Sequence, residues 1–130
     1  MSQGHVEIVR NSNDAFRRGD WDVISATADR HILVRTDPNW PEQRIYGREP
    51  WIAFLRGARG SWGPDLRIEE IFDLGDRLLV RYCWIIRGQH SGVEGEQRFS
   101  AIPTYREGRA TFLEFYLEHE QAFDALEMRE

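Results

Sequence analysis

The stretch RATFLEFYLEH, from Arg109 to His119, decides the fold of this chain. It follows the turn-forming pair Glu107-Gly108 and predicts a last β-strand, after which residues 120–126 have the character of a short terminal helix. Apolar side chains occupy both faces of this strand, and a strand that is apolar on both faces must be covered on both. In a chain of 130 residues, the chain's own helices can supply one cover and a second copy of the chain the other.

The first half of the chain predicts three helices. An apolar stripe at helical spacing runs from His5 to Arg17, Gly19 ends this helix, and Asp20 caps a second one whose apolar residues extend to Ala28. A third helix opens at residues 47–50, with a proline in its first turn. Its apolar side chains follow the i, i+3, i+4, i+7 and i+11 spacing of an amphipathic helix: Trp51, Phe54, Leu55, Ala58 and Trp62.

The strands are concentrated in the second half. Short strands are predicted at residues 32–34 and 44–46, with an irregular, proline-containing loop over 37–43 between them. Residues 66–74 alternate between apolar and polar, which predicts a strand with one buried face. A hairpin turn at 74–77 leads to a strand over 78–87, and a loop at 88–92 leads to a strand over about 93–105. Helices followed by an antiparallel meander form an α+β layout, here a single domain over residues 1–130 whose curved sheet wraps the helices around a conical cavity.

Charge and composition exclude several classes of partner and mechanism. The net charge of −5 argues against nucleic acid and anionic membranes, since both need a basic face. None of the 17 basic residues is a lysine, so Schiff-base catalysis is excluded. The single cysteine, Cys83, lies within an apolar strand pattern and is predicted to be a buried, inert thiol.

Metal binding, cofactor binding and export are not indicated either. The four histidines show neither His-x-His nor His-Glu-x-x-His spacing, so we predict no metal and no cofactor. No apolar run approaches the roughly 18 residues of a membrane span. The N-terminal segment lacks a signal-peptide core, so we expect a cytoplasmic protein.

Five short motifs carry a resemblance to a known family. They are AFRRGDWD at 15–22, YGRE at 46–49, SGVE at 91–94, REGR at 106–109 and EFYLE at 114–118. With this order and spacing the chain resembles the NTF2-like superfamily, and within it the SnoaL-like, polyketide-cyclase-like family. The resemblance implies an NTF2-like cone, in which N-terminal helices pack in a strongly curved, mainly antiparallel sheet that ends in a short C-terminal helix.

The resemblance leaves several activities open, because the superfamily contains isomerases, cyclases, epoxide hydrolases, dehydratases and non-catalytic members. Asp37, before Pro38, is similar to the base of ketosteroid isomerases, but Ser12 and Ser100 stand at the positions of their oxyanion donors and are weaker donors. Epoxide hydrolases use an Asp–Arg–Asp relay. Glu118 matches its last acid, but around Arg81 no acid lies two residues away. Cyclase-like chemistry needs only one acid of raised pKa.

The predicted site therefore has catalytic candidates and wall candidates. Asp37 or Glu118 is the predicted general base, and Arg81 is the predicted anion partner. The predicted ligand-binding residues are aromatic with one polar exception: Trp40, Trp51, Phe54, Trp62, Trp84, Phe115 and Ser100. The leading hypothesis is a small-molecule-binding protein, with a cofactor-free cyclase- or isomerase-type reaction on an apolar polycyclic or aromatic substrate as its enzyme form. The alternative is a non-catalytic dimeric ligand-binding or structural module.

The final strand also predicts how the two sheet faces are used. By resemblance to the isomerases, Leu113, Phe115 and Leu117 line the cavity, which places Glu114 and Tyr116 on the outer face. If the register differs by one residue, Glu114 replaces Glu118 as the acid to test. The strands over 78–87 and 98–117 carry further outward apolar residues, so we expect a homodimer packed through the outer sheet face.

Overall fold

The computed structural model describes residues 2–37, 44–74, 78–87 and 94–127. Within these ranges the elements follow the predicted order: α1 (Ser2–Arg18), α2 (Trp21–Ala26), β1 (Ala28–Arg35), β2 (Arg44–Tyr46), α3 (Arg48–Trp62), β3 (Leu66–Asp73), β4 (Leu78–Arg87), β5 (Glu94–Arg106), β6 (Arg109–Tyr116) and α4 (His119–Glu127). The fold is α+β, as predicted. The loop predicted over 37–43, the turn at 74–77 and the loop at 88–92 lie mainly outside the described residues.

Several boundaries differ from the prediction: β1 begins at Ala28 instead of residue 32, and the last strand ends at Tyr116 instead of His119. Ala28 belongs to β1 rather than to α2. The second helix ends at Ala26 because Thr27 caps its C-terminus. Both the amide and the hydroxyl of Thr27 donate to the carbonyl of Ile24.

The strands form one six-stranded sheet in the order β2-β1-β6-β5-β4-β3. All neighbouring pairs are antiparallel except β1 and β6, which run parallel. Register shifts interrupt the β1–β6, β3–β4 and β5–β6 pairs. Such irregularities bend strands and increase their twist, which curves the sheet around the N-terminal helices.

The concave inner face of the sheet packs against the N-terminal helices. Phe16 of α1 meets Trp84 of β4 edge to face at 5.5 Å, and Trp51 of α3 lies 5.9 Å from Phe115 of β6. Val9 of α1 packs on Val80 of β4. The main core therefore lies between the helices and the sheet, in the layered arrangement typical of α+β domains.

The prediction of one clean buried face on β3 is wrong. A register shift between Ile68 and Glu70 inserts a residue, after which the alternation is reversed. Ile71 pairs with Val80 on the inner face, whereas Phe72 pairs with Leu79 on the outer face. A bulge has this effect because side chains alternate with a period of two, so one extra residue exchanges the faces.

The outer face carries a second, smaller core beneath α4. Leu79 and Ile102 are fully buried there with Ala122 of α4, and Phe123 packs beside them. Among the described residues, the large hydrophobic side chains with high exposure are Tyr46, Trp62 and Leu74, and none of these lies on β4, β5 or β6. None of the described helices is long and apolar enough to cross a membrane.

Candidate functional site

A cavity of about 150 Å³ lies between the N-terminal helices and the inner face of the sheet. Of the described residues that line it, none carries a charged side chain. Eight are aromatic: Phe16, Trp51, Phe54, Tyr82, Trp84, Phe99, Tyr105 and Phe115. Such a wall is typical of sites for apolar small molecules, in which a few polar groups set the orientation of the ligand.

The aromatic side chains form a connected surface. Trp51 stacks on Phe54 with ring centroids 5.8 Å apart, and Phe115 links Trp51 to Phe99 at 5.9 Å on each side. Phe99 in turn stacks on Tyr82 at 5.0 Å. Pairs at these separations stabilise each other beyond their buried area, so the wall is held in place without a ligand.

Asn13 of α1 is a buried polar residue of the cavity wall. Its side chain is only 9% exposed, and its Nδ2 donates to the carbonyl oxygen of Leu66 at 3.2 Å. Because that carbonyl can only accept, the amide nitrogen must face it and Oδ1 must face elsewhere. Oδ1 is buried and has no hydrogen-bond partner in the described structure.

Ser12 is a second acceptor on the same helix. Its Oγ lies 3.2 Å from Thr27 Oγ1, and Thr27 Oγ1 donates to the carbonyl of Ile24 at 2.9 Å. A hydroxyl has one hydrogen, so Ser12 must donate to Thr27. The remaining capacity of Ser12 is therefore to accept.

Tyr82 of β4 and Tyr105 of β5 are the tyrosines of the cavity wall. Burial raises the pKa of both phenols, and the charge on ionised Tyr82 would raise the pKa of Tyr105 further. Both stay neutral at physiological pH. His5 of α1 stacks on Tyr105 with ring centroids 4.8 Å apart, where β5 meets the start of α1.

Four of the predicted wall residues line this cavity: Trp51, Phe54, Trp84 and Phe115. Trp62 does not; it is 39% exposed and packs edge to face on Trp84 at 5.0 Å, so it lies over a surface groove. Trp84 uses its Nε1 to donate to the carbonyl of Gly63. Trp40 lies outside the described residues.

Ser100 faces away from the cavity. It is fully buried on β5, where it pairs with Arg81 on one side and Tyr116 on the other. Its neighbours Phe99 and Ala101 take the cavity-facing positions. The assignment by resemblance failed here because neighbouring strand residues point to opposite faces, and an offset of one residue exchanges them.

The predicted catalytic residues are not brought together at the cavity. Arg81 is on the outer face, where it bonds Glu70 at 3.2 Å and lies over the rings of Phe72 and Phe123 at 5.1 and 5.2 Å. Glu118 is exposed beyond the end of β6. Asp37 is buried after β1, and its Oδ2 accepts from the amide of Leu117 at 2.9 Å, which ties the two chain segments together.

The final strand has the predicted register. Leu113 and Phe115 line the cavity, Leu117 packs into the inner core, and Glu114 and Tyr116 point to the outer face. The side chain of Glu114 is nevertheless fully buried.

Arg35 and Tyr116 form a polar group with Glu114 on the outer face of the sheet. Its Oε1 accepts from Arg35 Nη2 at 2.5 Å and from the Tyr116 hydroxyl at 3.1 Å. Burial and the neighbouring Glu114 carboxylate raise the pKa of Tyr116, whereas Arg35 opposes this. The parallel pairing of β1 with β6 places Arg35 opposite Glu114. The two residues are 79 positions apart, so no local sequence pattern predicts their contact.

Sequence reasoning also missed Asn13. The available signal was its spacing, because Asn13 lies four residues after Val9 and three before Phe16, on the apolar stripe of α1. A polar residue within such a stripe must find a partner or accept the cost of burial.

Comparison with known proteins supports the fold. No protein-family model and no curated protein matches the chain. A protein of Jannaschia sp. CCS1 with the provisional designation of SnoaL-like polyketide cyclase has a similar structure, with a TM-score of 0.78 and 18% identity over 96% of this chain and 92% of that one. An NTF2-like protein of unknown function from Burkholderia pseudomallei K96243 gives a TM-score of 0.74 and 21% identity over 95% of this chain and 97% of that one.

A designed protein shares the architecture as well. A de novo protein with a curved β-sheet covers 98% of this chain and 95% of its own, with a TM-score of 0.73 and 12% identity. The chain thus has the NTF2-like fold, shared with proteins designated as SnoaL-like. Because a designed protein has the same fold, the fold alone implies no activity.

Proposed function

We propose that the protein binds a small, neutral, apolar molecule in the cavity between the helices and the sheet. The observation that carries this proposal is the wall itself, which is aromatic and contains no charged side chain among the described residues. An apolar cavity of roughly this size accommodates benzene in another protein. At about 150 Å³, the cavity fits one aromatic ring better than a polycyclic system.

Binding without catalysis has more support than the cyclase or isomerase hypothesis. A cofactor-free proton transfer needs an acid or base within hydrogen-bond reach of the substrate. Asp37, Glu118 and Arg81 are all absent from the described wall, and its polar groups are neutral amide and hydroxyl groups. We therefore favour a binding module over an enzyme.

Intrinsic fluorescence and calorimetry with p-xylene, p-cresol and naphthalene test the binding proposal. Trp51 and Trp84 border the cavity, so a ligand there should change their emission. Of the three probes, the single-ring compounds should bind more tightly than naphthalene. Absence of binding of all three at millimolar concentration would rule the proposal out.

A cavity-filling variant locates the binding site. Ala101 is buried in the cavity wall, and Ala101→Leu should lower the affinity for p-xylene by about tenfold or more because the added side chain occupies the space of the ligand. Ala53→Leu is the matched control, since Ala53 is exposed on α3. Equal affinities in both variants, with folding confirmed by circular dichroism, would place the ligand elsewhere.

We further propose that the protein is a homodimer through the outer face of the sheet and that it is cytoplasmic. The homodimer has less support than the sequence suggested, because α4 covers part of the apolar outer face. Its remaining support is Leu33 and Phe112, which lie half-buried side by side on neighbouring strands outside the cluster under α4. The cytoplasmic location rests only on the N-terminal sequence, which lacks a signal-peptide core.

A further inference from the structure

We infer that the hydroxyl of Tyr82 selects the ligand, and that it selects molecules with a hydrogen-bond acceptor, such as an aryl ketone over the alkene of the same shape. This inference rests on the proposed binding function and adds the chemical class of the ligand. It depends on one donor on the sheet side of the cavity, where Tyr82 of β4 forms part of the wall.

Packing contacts fix the ring of Tyr82. Phe99 of the neighbouring strand β5 stacks on it, with ring centroids 5.0 Å apart and ring planes 16° apart. The ring also packs against the cluster of Val9, Leu78 and Val80, which joins α1 to β4. Because a phenol carries its oxygen in the plane of the ring, these contacts fix the position of the oxygen as well, and only the O–H bond can rotate.

The hydroxyl of Tyr82 is accessible from the cavity. Within the described ranges, no backbone or side-chain group forms a hydrogen bond with it. Its oxygen is nevertheless not sealed off by protein atoms, in contrast to the fully enclosed Oδ1 of Asn13. The space that it reaches is the cavity, because Tyr82 lines the cavity and burial raises the pKa of its phenol, as expected for a hydroxyl away from bulk water. A molecule in the cavity can therefore accept this hydrogen.

The uncommitted hydrogen of Tyr82 favours ligands that accept. A hydrocarbon that fills the cavity leaves a buried hydroxyl unpaired, which costs free energy. A ligand carbonyl that accepts the hydrogen removes this cost. Tyr105 of β5 lines the cavity as well and packs against the same cluster as Tyr82, so a second neutral phenol lies along this side of the wall.

The rest of the wall limits the acceptor to a neutral group. No charged side chain among the described wall residues would compensate for the lost hydration of an anion, so a carboxylate or a phosphate is disfavoured. The volume of about 150 Å³ admits one aromatic ring. A single ring that bears a carbonyl, as in an aryl ketone or aldehyde, satisfies both limits.

Acetophenone and α-methylstyrene test this selection, because they have nearly the same shape and differ by a carbonyl oxygen in place of a methylene group. The variant Tyr82→Phe removes the hydroxyl and keeps the ring, and Tyr46→Phe is the matched control because Tyr46 is exposed on β2. We expect Tyr82→Phe to reduce the preference for acetophenone over α-methylstyrene by about fivefold and Tyr46→Phe to leave it unchanged. An unchanged preference in Tyr82→Phe overturns the inference, while binding of α-methylstyrene shows that the proposed function stands.

The infrared carbonyl stretch of bound acetophenone gives a second readout. A hydrogen bond to the carbonyl oxygen lowers this frequency, so we expect it to rise in Tyr82→Phe toward its value in hexane and to stay unchanged in Tyr46→Phe. Equal frequencies in the natural protein and Tyr82→Phe would also overturn the inference. If neither compound binds at millimolar concentration, the proposed function fails and the inference fails with it.

Discussion

Two buried phenols link the cavity to the stability of the protein. Tyr82 borders the cavity and is half-buried, and burial raises the pKa of its phenol. The same cause raises the pKa of Tyr105. A group whose folded-state pKa exceeds its unfolded value near 10 stabilises the fold below pH 10, and this contribution is lost as the pH rises above 10.

We predict that Tyr82→Phe reduces the alkaline loss of stability. Between pH 10 and 11 each phenol with a raised pKa should lower the free energy of unfolding by about 1 kcal/mol, so the variant should lose about this much less than the natural protein. Urea unfolding at pH 8, 10 and 11 measures the difference. Tyr46→Phe is the control, because Tyr46 is exposed, and parallel pH profiles for all three proteins would contradict the prediction.

At the scale of elements, α4 and the bulge in β3 build the outer core together. The bulge turns Phe72 to the outer face, and α4 brings Phe123 onto it with ring centroids 5.2 Å apart. The guanidinium of Arg81 lies over both rings and bonds Glu70. Arg81, a predicted anion partner, thus has a structural position between two aromatic side chains, where cation–π contact stabilises it.

We predict that Phe123→Ala destabilises the fold without changing ligand affinity. Phe123 is half-buried, so the expected loss is about 2 kcal/mol, below the cost of truncating a fully buried phenylalanine. Gln121→Ala, on the exposed side of α4, should cost little. Thermal unfolding and a p-xylene titration separate the two effects, and a weakened affinity in Phe123→Ala would show that the outer core and the cavity are coupled.

At the scale of the whole molecule, the proposed dimer depends on the outer face of the sheet. Glu114 is fully buried there under Arg35 and Tyr116, and Arg35 lies over the ring of Phe112 at 5.8 Å. Arg35, Glu114 and the half-buried Leu33 and Phe112 occupy the part of the face beside the cluster beneath α4, and Tyr116 packs against that cluster. A second copy that covered this part would bury apolar area around an internally paired polar centre, a composition typical of protein interfaces.

Light scattering at micromolar concentration tests the dimer. The chain mass is 15.3 kDa, so a dimer should give twice that value, about 31 kDa. Phe112→Arg should shift the mass to that of the monomer by placing a charge in the interface. Leu74→Arg, at an exposed position after β3, should not. A natural protein of monomer mass would remove this proposal.

Much of the fold could be predicted because its signals are local. Glycine and proline mark the ends of elements, and periods of 3.6 and two residues distinguish helices from strands. The register of the last strand was predicted by resemblance to the isomerases, with Leu113, Phe115 and Leu117 as the more apolar set. Four wall aromatics were predictable as well, because large apolar side chains at core-facing positions of a small domain have few other places to lie.

The sequence by itself therefore determined the order of the elements, the fold and the apolar character of the cavity, since these follow from patterns between near neighbours along the chain. The tertiary structure alone decided which polar groups reach the cavity. A bulge in β3 exchanged the faces of Ile71 and Phe72, and the parallel pairing of β1 with β6 brought Arg35 to Glu114. The packing of α1 on β3 oriented Asn13. Each of these depends on contacts between residues far apart in the chain, which local periodicity does not encode.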